Sequence, residues 1–135
     1  DSEERKENRN RALKVIDQNP QAYISMAIGN LFAESSREKF SKEIETLKSE
    51  AFSFPVEGIK AAIKGMRDRK DRTVVLKDFK KDKHAILAKE DPILPFLEAK
   101  KLAELCDASV KIIEGGHMSL IENGNSVAEY LHFIG

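Results

Sequence analysis

Two short apolar runs constrain this chain more than anything else in it. His84-Ala85-Ile86-Leu87-Ala88 leads into Asp91-Pro92-Ile93-Leu94-Pro95, and Val110-Lys111-Ile112-Ile113 leads into Gly115-Gly116-His117-Met118-Ser119. Runs of this length bounded by turn residues read as strands, and the stretch between them, with Leu97, Leu102 and Leu105, reads as a helix. The piece is therefore a strand-helix-strand crossover. It carries an acid and a histidine on the loops that follow its strands, and in open parallel sheets those loops are where chemistry is placed.

These residues resemble the α/β-hydrolase superfamily, in which one strand ends in an aspartate often followed by Pro and a later strand ends in Gly-His. The resemblance implies that Asp91 is the acid and His117 the base of a catalytic triad, in a family whose chain order is nucleophile, acid, histidine. Asp91 would hold the imidazole in one tautomer. His117 would take the nucleophile's proton and return it to the leaving group, work that suits imidazole near neutral pH. Gly115 and Gly116 let the backbone turn sharply at the strand end.

The implied nucleophile has no candidate upstream. It needs a sharp, glycine-flanked turn between a strand and a helix. Gly124-Asn125-Ser126-Val127-Ala128 has part of that spacing, but it follows a polar turn, and Ser126 reads as the cap of the last helix. Cys106, the only thiol, closes a helical apolar pattern and reads as a buried structural cysteine. The chain thus looks like the second half of an enzyme whose nucleophile lies elsewhere.

Composition supports this division. A chain of 135 residues, 41% of them apolar, can build one small domain but not a whole eight-stranded hydrolase. Lys plus Arg and Asp plus Glu balance at 23 each, which gives no reason to expect nucleic acid or an anionic membrane as partner. Between Lys64 and Lys83 nine basic side chains outnumber four acidic ones, but Phe79 is the one aromatic among them, so the segment reads as a solvated connecting face. A single Cys fits a reducing, cytoplasmic location, and within these residues no signal peptide or membrane-length apolar run is visible. Three histidines, one cysteine and scattered carboxylates show no metal-ligand spacing, and no Gly-rich phosphate loop is present, so neither metal nor cofactor is expected.

The first half of the chain is helical in pattern. Asp1-Ser2-Glu3-Glu4 starts one helix, Pro20 a second, Ser35-Ser36 caps a third carrying Phe40, Ile44, Leu47 and Ala51, and Pro55 begins a fourth. The resemblance makes residues 1–71 the helical cap that many members insert over the catalytic pocket. Residues 72–135 would be the C-terminal part of the core, with Val74 to Phe79 a short connecting helix. The expected fold class is α/β, a partial α/β-hydrolase fold whose cap segment precedes a strand-helix-strand-helix portion of a parallel sheet. Where the family often has Pro before the strand and Gly three residues before the acid, this chain has Asp82-Lys83 and Ala88. Those positions shape the backbone rather than the chemistry.

The expected parent cleaves a small, largely apolar ester or related acyl compound through a covalent intermediate. Its partners would be that small-molecule substrate and either the missing N-terminal half or a second copy of this chain. Met26, Phe32, Phe40, Phe52 and Phe54 could line an apolar pocket, although helical spacing also suits plain core. His84 and His132 read as structural. Two other classes stay open: a ligand-binding member of the fold without catalysis, and a helical interaction module.

Overall fold

The computed structural model describes residues 2–135, so Asp1 of the expected helix start lies outside the described residues. The chain folds as two compact units, Asp1–Ile28 with Ile44–Asp71 and Gly29–Glu43 with Arg72–Gly135.

The first unit is helical. Helix α1 (Glu3–Gln18) begins where the Ser2 hydroxyl accepts from Arg5 N, with Glu3 and Glu4 in its first turn. Asn19 then accepts from Ala22 N at 3.0 Å and Pro20 opens α2 (Pro20–Gly29), the position that its fixed φ and missing N–H suit. Helices α3 (Ser41–Phe52) and α4 (Val56–Asp68) follow. One side chain from each helix forms the interior: Ile16, Ile24, Ile44 and Ile63 are all buried, and each contributes roughly 1.5–3 kcal/mol by leaving water. Lys60 on α4 reaches Asp17 on α1 at 2.7 Å, and Arg67 reaches Asn10 at 2.9 Å.

Of residues 1–71, the stretch Gly29–Glu43 groups with Arg72–Gly135. Ser35-Ser36 does not cap a helix. It forms a single 3₁₀ turn, Glu34–Ser36, and α3 starts only at Ser41. The reason is that the Ser36 hydroxyl faces the Ala33 carbonyl and the Glu122 carboxylate, a partner 86 positions away, rather than the amides of a following helix.

In the second unit a short α5 (Thr73–Asp78) leads to β1 (His84–Ala88), α6 (Phe96–Leu105), β2 (Ser109–Ile113), α7 (Ser119–Glu122) and α8 (Gly124–Ile134). The strands pair in parallel with His84 opposite Ser109 and Ala88 opposite Ile113, which brings their carboxyl ends level. Ala88, Ile113 and Val127 bury one another beneath Ile86. Cys106, the residue that caps α6, is fully buried, as expected, and Asp107 after it has φ 54°. Phe32 is also fully buried and faces Phe40 at 6.4 Å between ring centres, while Met26, Phe52 and Phe54 are exposed. Ser126 lies inside α8, whose cap position belongs to Asn123; one residue separates α7 from α8, so the last helix starts earlier than the serine. His84 meets the Tyr130 hydroxyl at 2.9 Å with its ring edge-on, a packing role. No helix among the described residues is long and apolar enough to cross a membrane.

Candidate active site

The parallel register decides where the polar residues go. Because β1 and β2 end side by side, the chain leaves both in the same direction, and the two loops bond across: Lys89 N donates to Ile113 O at 3.0 Å and Glu90 N to Gly115 O at 3.1 Å. Asp91 and His117 are the next functional groups along those loops.

Asp91 does two things at once. Its Oδ1 accepts from Ile93 N at 2.7 Å and Leu94 N at 2.8 Å, closing the Asp-Pro turn around Pro92. Its Oδ2 lies 2.9 Å from His117 Nδ1. The turn role and the acid role predicted from sequence are thus compatible, since each takes one oxygen. The Asp91 side chain is 10% exposed and that of His117 is 36% exposed, so the acid is enclosed and the imidazole reaches outward.

A carboxylate only accepts, so Nδ1 is the donor of this bond. The bond to Asp91 is the one side-chain hydrogen bond of that ring among the described residues. Ser119, two residues on, donates its hydroxyl to Gly116 O at 2.9 Å and is occupied there.

The glycines before His117 are required for separate reasons. Gly115 has φ 99°, a conformation L side chains rarely adopt. Gly116 is buried against the backbone of Phe32 and Ala33, and a Cβ there would stand 2.9 Å from Phe32 C. His117 N donates to Leu31 O at 2.9 Å and Met118 N to the same oxygen at 3.3 Å. Sequence reasoning named Asp91 and His117 as candidates and missed their surroundings, the support from residues 31–33 and the Glu122 carboxylate that joins it. No local pattern signals a contact across so much chain.

An apolar cavity of about 250 Å³ lies beside the pair, lined by Ile86, Ala88, Leu94, Phe96 and Leu120 together with Asp91 and His117. No group of three or more His, Cys, Asp or Glu among the described residues could hold a metal ion.

Neither models of known protein families nor the curated proteins match this chain. Solved structures do. The chain is similar to a thermophilic esterase from Thermogutta terrifontis, solved with malate bound, at 27% identity and a TM-score of 0.84. It covers 98% of its own length and 50% of that enzyme's. It is also similar in fold to an esterase from Exiguobacterium antarcticum, at 18% identity and a TM-score of 0.78, over 96% of this chain and 47% of that one. The chain spans about half the length of the esterases it matches.

Proposed function

We propose, from the fold that this chain shares with half of each esterase it matches, that it is the C-terminal portion of an α/β-hydrolase that cleaves a small, largely apolar ester. Asp91 is the acid of a nucleophile-His-Asp triad and His117 its base. The nucleophile and the oxyanion hole come from outside these 135 residues, in keeping with the lack of any glycine-flanked elbow in the sequence.

The observation that carries the reading is the bond of 2.9 Å between His117 Nδ1 and Asp91 Oδ2, made where two parallel strands end together. It leaves the ring's other nitrogen, Nε2, for the nucleophile. In the reaction Nε2 accepts the nucleophile's proton as the nucleophile attacks the ester carbonyl, and the resulting imidazolium is stabilised by the Asp91 carboxylate. The same proton then passes to the leaving alkoxide. In the second half a water attacks the acyl intermediate, with Nε2 again the base. Because Oδ1 is held by two backbone amides, the carboxylate is oriented before substrate arrives. The apolar lining of the adjacent cavity supports an apolar acyl group.

The test is steady-state hydrolysis of short-chain aryl esters by the complete protein. Asp91→Asn and His117→Ala should each lower kcat by about 10⁴-fold, and the double variant should be little worse than either, because triad members act as a unit. Full activity in either single variant removes that residue from the mechanism.

A further inference from the structure

The bonds that hold His117 in place converge on a carboxylate that the triad does not use. Glu122, half-buried at the end of α7, accepts from Gly116 N at 3.0 Å through Oε2. Through Oε1 it accepts from Ala33 N at 3.0 Å and from the Ser36 hydroxyl. All these donors are neutral.

What these bonds fix is the residue before His117. Gly116 N is held by Glu122, while the next two amides, His117 N and Met118 N, are held by Leu31 O. Two of these successive backbone donors are therefore pinned on Leu31 O and the third on Glu122, which also holds Ala33 N and the Ser36 hydroxyl on the other side of the contact. The same short segment reaches the acid's loop, where the Ser35 hydroxyl donates to Glu90 Oε2 at 2.7 Å, next to Asp91. Residues 31–36 thus form a bridge between the loop of the acid and the loop of the base.

We infer that Glu122 is a positioning residue for the proposed hydrolytic reaction: its two acceptor oxygens set the His117 loop so that Nδ1 meets Asp91 and Nε2 points where the nucleophile must arrive. The inference rests on the reading of Asp91 and His117 as acid and base. Both oxygens are needed. An amide at this position keeps one acceptor and replaces the other with an NH₂ that faces a backbone N–H, so either Gly116 N or Ala33 N loses its partner. A side chain that only filled space would tolerate this isosteric change.

Glu122→Gln in the complete protein separates the two roles. Displacement of a catalytic group by about 1 Å costs on the order of 10²-fold in rate, so kcat should fall by about 10- to 100-fold while KM stays within about threefold. In the same variant, NMR of the ¹⁵N-labelled histidine ring should show the Nδ1–H signal of His117 shifted or broadened in the folded protein, a change that lost stability alone would not produce. Should Glu122→Gln fail to fold, Ser36→Ala removes one donor from Oε1 and should lower kcat by about threefold with a smaller change in the same signal. Unchanged kcat and ring signals in whichever variant folds would overturn the inference. If Asp91→Asn and His117→Ala leave activity intact while Glu122→Gln still alters the His117 ring signal, the positioning stands and the triad reading falls.

Discussion

Gly116→Ala is the substitution whose cost follows most directly from the packing around His117. The added Cβ would stand 2.9 Å from Phe32 C and from Glu122 Oε2 and would also run into Ala33 N. Ordinary contacts begin near 3.4 Å, so the shortfall against the Phe32 carbonyl carbon alone is about half an ångström. Two of the three obstacles are backbone atoms, which cannot rotate away. Overpacking of this kind costs about 1–3 kcal/mol, and rigid neighbours place this case at the upper end. With an unfolding entropy of about 0.3 kcal/mol/K for 135 residues, a loss of about 3 kcal/mol lowers Tm by about 10 °C. Gly65→Ala is the control of opposite sign: nothing lies within 4 Å of its Cβ position inside α4, and relief of a mid-helix glycine should stabilise by about 1 kcal/mol. Differential scanning calorimetry of both variants reads the contrast. A Gly116→Ala protein melting within about 2 °C of the parent would refute the close approach of the His117 loop to residues 32–33.

Two further outcomes are expected. Lys60 has its pKa raised by hydrogen bonding to Asp17 and then Glu57. A raised folded-state value contributes stability below lysine's ordinary 10.5 that is lost as pH rises through the folded value. Lys60→Met should therefore melt slightly lower than the parent at neutral pH and low salt, and the difference should vanish in 1 M salt and above that titration; a difference that persists in both would point to packing of the lysine stem instead. Leu97, Leu120 and Phe133 are 69%, 75% and 83% exposed on the second unit, whose sheet has two strands. Such a surface favours association, so sedimentation velocity of this chain alone at low micromolar concentration should show self-association, and a clean monomer would argue against it.

The parts of the fold that were legible in the sequence are those whose causes are local. The two strands showed as apolar runs, α2 and α4 as prolines at or just before their starts, and Asp91 and His117 as polar residues just past strand ends, where the parallel register then brought them together. Other placements depend on a distant partner. Ser36 has the composition of a helix cap, but Glu122 occupies its hydroxyl, and nothing within a turn or two of Ser36 announces that. Residues 29–43 have helical and loop patterns like their neighbours, and it is the bonds from Leu31 O and Ala33 N to the His117 loop and Glu122 that place them with the second unit. Ser126 and Asn123 are both good caps by type. Where α7 ends puts Asn123 at the cap position, although its side chain donates to Glu114 O instead of bonding the first turn.

The central claim, that His117 activates a nucleophile supplied from outside this chain, is tested most directly by trapping the acyl intermediate. The complete protein is mixed with a short-chain aryl ester, quenched in acid within the first turnover, digested and mapped by mass. One acyl group should be found on a peptide outside residues 1–135, and His117→Ala should carry almost none under the same conditions. An acyl group on a residue of this chain, or acylation undiminished in His117→Ala, would contradict the claim.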